Sequence, residues 1–148
     1  FPHWDADFAR ELAAEFRLPV DRRIKKLSRG QLSSVGIIVG LASRAPITIF
    51  DEPYLGLDAI ARQNFYDRLL TDYAAHPRTV ILSTHLIDEV ADLLEHAIVI
   101  DAGRVLIDSP VDALRAHAAT IAGPTEAVER AVTGLEVIHR ERLGGFLS

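Results

Sequence analysis

In Ile47-Thr48-Ile49-Phe50-Asp51-Glu52-Pro53-Tyr54-Leu55-Gly56-Leu57-Asp58, an apolar run gives way at once to two adjacent carboxylates and a proline. The two β-branched isoleucines and Thr48 predict a short buried strand. Open parallel sheets present functional groups at the carboxyl ends of their strands, where ligands bind. An Asp-Glu pair in that place suits a divalent metal and a water activated beside it. A strand followed by an acidic, solvated turn is the competing reading, and the sequence on either side decides between the two.

Upstream, Phe8, Leu12, Ala13 and Phe16 recur at helical spacing across 5–16, with Asp5 or Asp7 placed to cap or favour the first turn. Pro19 ends that helix, and Asp21-Arg22-Arg23-Ile24-Lys25-Lys26 reads as a solvated connection. Ser28 is a natural N-cap for a second, apolar helix reaching Ser43. Its β-branched residues, with Gly36 and Gly40, make it a poor intrinsic helix that must be stabilised by burial; a buried strand over Val35–Val39 is the alternative. A helix opening with Ser and Gly offers free backbone N–H groups to an anion, although for Ser-x-Gly taken alone an ordinary cap is the better reading.

Downstream, 59–74 reads as a helix with Ile60, Phe65, Leu69 and Tyr73 on one face and Asp58 at its N-cap. Thr79-Val80-Ile81-Leu82-Ser83 predicts a second buried strand, ending in Thr84-His85. A short helix over 86–94 and a strand over 96–100 follow. Asp101-Ala102-Gly103-Arg104 is a tight hairpin turn leading into Val105-Leu106-Ile107, and Ser109-Pro110 opens a helix to His117. Alternation of strand and helix over 47–100 predicts a parallel α/β sheet. From Ala119 onward, a strand at 120–122, a helix over 124–132 and a strand over 135–139 suggest a small βαβ-like appendix. The expected division is therefore 1–118 and 119–148.

The 148 residues are about one domain's worth of chain, with a hydrophobic fraction of 49% and a net charge of -5. That charge supplies no electrostatic argument for nucleic acid or an anionic membrane surface. The chain has no cysteine, which rules out disulfides and thiolate metal sites. No apolar run approaches bilayer length and no secretory signal is visible, so a cytosolic protein is expected. Phe1-Pro2-His3-Trp4, in a chain without methionine, reads as a cut inside a longer protein.

Leu27-Ser28-Arg29-Gly30-Gln31, Ile49-Phe50-Asp51-Glu52-Pro53, Leu55-Gly56-Leu57-Asp58 and Ser83-Thr84-His85 stand in the order and spacing of one family. Over roughly 26–114 the chain resembles the ATP-binding subunit of ABC transporters. The matches are to its signature loop, Walker B strand, D-loop and switch histidine. The resemblance implies a P-loop NTPase-type three-layer α/β sheet, present in part, with a helical signature subdomain. It implies that Asp51 helps to hold Mg²⁺, that Glu52 polarises the attacking water and that His85 contacts the γ-phosphate of ATP. Ser28, Arg29, Gly30 and Gln31, in the signature loop, would close over a nucleotide carried by a second ATPase subunit in a head-to-tail dimer. Asp58 would couple the two sites. A transmembrane permease is the other implied partner, and nucleic acid is not one. A soluble ABC-type ATPase acting on DNA or ribosomes is the alternative, and the compact spacing from Ser28 to Asp51 favours the transporter.

This sequence departs from the family pattern in several places. Arg29 stands where many members have glycine, Tyr54 replaces a small polar residue, and Ala59 replaces a common proline. No Gly-x-x-x-x-Gly-Lys-Ser/Thr occurs, so the loop that cradles the α/β-phosphates is not among these residues. In the family the P-loop strand lies between the switch-histidine strand and the strand matched by 96–100. A gap, with rearrangement or pairing to a second copy, is therefore expected there.

Overall fold

A computed structural model describes residues 1–116, 120–135, 137, 139–143 and 146–147. The chain divides into two compact units, Phe1–Leu93 and Leu94–Ser148.

The first unit begins with helix α1, Ala6–Glu15, capped by the Asp5 carboxylate, which accepts from the backbone N–H groups of Asp7 and Phe8. A short 3-10 turn at Ile24–Lys26 leads to helix α2, Arg29–Ser43. Thus 35–39 is helical, and the strand alternative does not occur. Burial outweighs the poor propensity of its β-branched residues, since Ser34, Ile37, Ile38, Leu41, Ala42 and Ser43 are all buried. The burial is one-sided, however, and Leu32 and Val39 remain exposed. Strand β1, Ile47–Asp51, pairs in parallel with β2, Thr79–Ser83, with Ile47 opposite Thr79 and Asp51 opposite Ser83. Helix α3, Ala59–Ala75, joins them, as parallel strands require a crossover. A single turn of helix, α4, spans Ile87–Val90 where a longer one was expected.

The core lies on one face of β1. Phe50 meets Phe65 edge-on with ring centroids 5.3 Å apart, and Leu12, Ile37, Leu41 and Leu69 fill the space around them. Each such side chain contributes about 1.5–3 kcal/mol by leaving water. Gly40 is required here, because a Cβ would lie 2.4 Å from the Phe50 ring. The expectation of buried strands is corrected: Ile47 and Ile49 are 62% and 67% exposed, and Ile81 is 50% exposed. Strict alternation along β1 shows why, since a two-stranded sheet packed on one face leaves every second side chain in solvent. Ile60, expected on the apolar face of α3, is also exposed, because Tyr66 and Asp72 share the buried stripe with Phe65 and Leu69.

Behind the amino ends of these strands lies an ionic cluster that no sequence motif announces. Asp72, only 2% exposed, receives Arg44 at 3.2 Å and Arg78 at 2.8 Å, and Arg44 also reaches Asp5 at 2.9 Å.

In the second unit, β3 (His96–Asp101) and β4 (Arg104–Pro110) form an antiparallel hairpin. Ala102 and Gly103 both have positive φ, +46° and +74°, as the expected tight turn demands. Helix α5, Val111–Arg115, follows Pro110, which serves as its N-cap rather than its first residue. Beyond it come β5 (Gly123–Pro124), helix α6 (Thr125–Ala131), β6 (Arg142–Leu143) and β7 (Phe146–Leu147). The three strands pair antiparallel in the order β5-β7-β6. Strands expected at 120–122 and 135–139 do not form at the described positions, and residues 136 and 138 lie outside the described set. Among the described residues, β2 has β1 as its single neighbour and β3 has β4.

Candidate active site

The carboxyl ends of β1 and β2 bring Asp51, Glu52 and His85 together, although 34 positions separate the first from the last. Ser83 sets the register of this meeting. Its hydroxyl donates to Asp51 Oδ1 at 2.5 Å and accepts the Glu52 backbone N–H at 3.1 Å, while its carbonyl lies 3.3 Å from the same nitrogen. The chain then turns sharply, and Glu52 takes a left-handed φ of +46°, a conformation uncommon for a residue with a Cβ. That turn swings the Glu52 side chain toward the β2 end, where His85 Nδ1 is 3.0 Å from Glu52 Oε1.

Tyr54 occupies the middle of the cluster and is 4% exposed. Its phenol is hydrogen-bonded to Glu52 Oε2, lies 3.1 Å from His85 Nδ1, and accepts from Thr84 Oγ1 at 3.1 Å and the His85 backbone N–H at 3.2 Å. The tyrosine and imidazole rings meet edge-on, 5.8 Å apart. The hydrogen bond from Tyr54, followed by that from His85, holds the Glu52 carboxyl below the usual carboxylate range, against the opposing effect of burial. Glu52 is therefore an anion at neutral pH, able to accept a proton. Sequence reasoning treated Tyr54 only as a departure, and it quoted Ser83 and Thr84 in the Ser83-Thr84-His85 match without giving either a role in the site. The available signal was the Ser-Thr pair beside His85 at a strand end.

The signature residues form a second cluster at the amino end of α2. Ser28 Oγ accepts the Gln31 N–H at 3.2 Å and Gln31 Oε1 accepts the Ser28 N–H at 3.0 Å, a reciprocal capping box. Asp58 caps α3 by accepting the Ala61 N–H at 2.8 Å. Gly30 and Gly56 touch backbone to backbone. A Cβ on Gly30 would fall 2.3 Å from the Gly56 carbonyl oxygen, and Gly56 itself has a φ of +85°. Ser33 Oγ donates to the Leu55 carbonyl at 2.6 Å, fastening α2 to the 55–58 loop. A pocket of about 420 Å³ joins the two clusters, with Arg29, Ser33 and Leu32 on one side and Asp51, Glu52 and Leu55 on the other.

Among the described residues no group of three or more His, Asp or Glu side chains forms a metal cage. The oxygens of Asp51 and Ser83 nevertheless suit Mg²⁺. That ion takes one or two protein oxygens and completes its shell with water and phosphate.

The family model described as "AAA domain, putative AbiEii toxin, Type IV TA system" matches residues 12–92, more than half the chain. The chain is 35% identical over 119 residues to the phosphonates import ATP-binding protein PhnC of Trichormus variabilis, covering 79% of this chain and 49% of that protein. It is 31% identical over 97 residues to the choline transport ATP-binding protein OpuBA of Bacillus subtilis, covering 65% and 26% respectively. Among solved structures, an ATP-binding subunit of an ABC transporter superposes with a TM-score of 0.67 at 26% identity, over 75% of this chain and 47% of that one. A dimeric bacterial ABC transporter cassette does so with a TM-score of 0.61 at 27% identity, covering 71% and 46%. The chain thus spans between about a quarter and a half of the length of the relatives it matches.

Proposed function

The chain belongs to the AAA-domain family, its homologues are ATP-binding proteins of ABC transporters, and from that premise we propose that it supplies the hydrolytic half of such a cassette. The observation that carries this reading is the pairing of Glu52 with His85 at 3.0 Å beside Asp51, at the carboxyl ends of two adjacent parallel strands. Phosphoryl transfer needs positioned groups and charge neutralisation more than covalent chemistry. Glu52, held ionised, orients the attacking water and takes up its proton. Asp51, with Ser83, would hold Mg²⁺, which would supply charge neutralisation at the phosphate oxygens. His85 responds to the terminal phosphate from the edge of the same cluster. Ser28, Arg29, Gly30 and Gln31 present the amino end of α2 to the nucleotide of a second, head-to-tail subunit, and Asp58 links the two sites. A transmembrane permease is the partner that selects the transported substrate, and it holds this ATPase at the inner face of the membrane. No described helix is long and apolar enough to cross a membrane itself.

These residues contain no phosphate-cradling Gly-rich loop with its lysine, so on their own they neither hold nor hydrolyse ATP. Titration of the 148-residue chain with Mg-ATP by calorimetry is expected to show no binding at micromolar concentrations. A micromolar Kd would overturn this part of the reading.

A further inference from the structure

Hydrogen-bond arithmetic at Tyr54 fixes more than the position of the cluster. A phenol has one proton to give and two lone pairs to receive with. The Thr84 hydroxyl and the His85 backbone N–H occupy the two lone pairs. Thr84 is free to donate in this way because its own oxygen accepts from the Leu86 N–H at 2.9 Å. The one phenolic proton goes to Glu52 Oε2, since a carboxylate can only accept. Tyr54 then has neither a proton nor a lone pair left for the imidazole. The remaining contact of His85 Nδ1 is Glu52 Oε1 at 3.0 Å, again an acceptor, so Nδ1 carries the ring proton.

We propose that Tyr54 is a positioning residue. By saturating its own hydrogen bonds and anchoring the Glu52 carboxylate, it holds neutral His85 in the Nδ1–H tautomer with Nε2 bare. An imidazole in this state offers a lone pair at Nε2, which repels phosphate oxygens. To donate a hydrogen bond to phosphate, His85 must turn its Nδ1–H away from Glu52. Tyr54 therefore couples the carboxylate that activates water to the histidine that meets phosphate. Both are held in one parked arrangement until an anion arrives. This consequence rests on the catalytic roles given above to Glu52 and His85, whereas the tautomer assignment does not.

The test is a ring-nitrogen NMR spectrum of the 148-residue chain, labelled at histidine and recorded without nucleotide where His85 is neutral. The His85 cross-peak pattern is expected to show the Nδ1–H form in about tenfold or greater excess, as a hydrogen bond to a charged acceptor sustains. In Tyr54→Phe, which keeps the buried ring, that excess is expected to collapse toward the Nε2–H form, while the amide spectrum away from 52–58 and 83–86 stays unchanged. An Nε2–H tautomer in the wild-type chain overturns the proposal, as does an unchanged Nδ1–H excess in a folded Tyr54→Phe. The wild-type spectrum carries the test if the variant does not fold. Because no nucleotide is present, either failure leaves the ATPase reading standing.

Discussion

Asp5 shows how much one carboxylate can be asked to do. It caps α1 and pairs with Arg44, and the Phe8 N–H, Arg44 and the Asp7 N–H together hold its pKa below the ordinary 3.8, with burial opposing them. A lowered folded-state value means that the charge stabilises the fold above pH 3.8, and that this contribution disappears as pH falls through the lower folded value. Asp5→Asn, which keeps a capping oxygen, should flatten that acid limb in denaturation followed by circular dichroism while leaving the neutral-pH helix signal intact. Asp72 is a harsher case. Its carboxylate neutralises Arg78, which is 5% exposed, and shares Arg44 with Asp5, so Asp72→Ala strands the buried Arg78 charge and should cost about 3–5 kcal/mol of unfolding free energy in urea. Neither Asp72 nor Arg78 was legible beforehand. A charged residue on a buried helix stripe looks like any surface residue until its partner, distant in sequence, is known.

Elements were more readable than contacts. Ser28 and Asp58 announce the starts of α2 and α3 because capping chemistry is local, and both caps form as expected. The ends of β1 and β2 were legible because polar residues interrupt β-branched runs at Asp51 and at Ser83-Thr84. The burial of those strands was misread, since composition reports apolarity but not which neighbour covers each face. Tyr54 was missed for a similar reason, its role depending on a turn that only the left-handed Glu52 backbone creates. At this scale the sharpest test is Gly30→Ala. The added methyl must push the Gly56 carbonyl away, and no flexible side chain is there to yield. A loss of about 1–3 kcal/mol is expected. Amide shifts should spread from the start of α2 into 55–58 and leave α1 and the β3–β4 hairpin undisturbed.

For the molecule as a whole, the groups proposed to be catalytic come together without a phosphate-cradling loop. Asp51, Glu52 and His85 are assembled by two strands and the turns that follow them, and no Gly-x-x-x-x-Gly-Lys-Ser/Thr loop occurs among these 148 residues. β1 and β2 pair with each other, β3 pairs with β4, and the Ile47–Ile49–Ile81 face remains open. The four family motifs were legible in order because each is local. The gap expected between β2 and the strand over 96–100 was legible too, from the P-loop strand the sequence lacks, and among the described residues β2 pairs with β1 alone and β3 with β4 alone. The most direct test measures phosphate release from Mg-ATP by this chain alone, by the chain joined to a P-loop-bearing segment from an ABC transporter relative, and by the joined protein carrying Glu52→Gln. The prediction is no release by the chain alone, steady turnover once the P-loop is supplied, and a loss of about 10²–10⁴-fold in the Glu52→Gln protein. Turnover by the chain alone, or undiminished turnover in the Glu52→Gln protein, would contradict it.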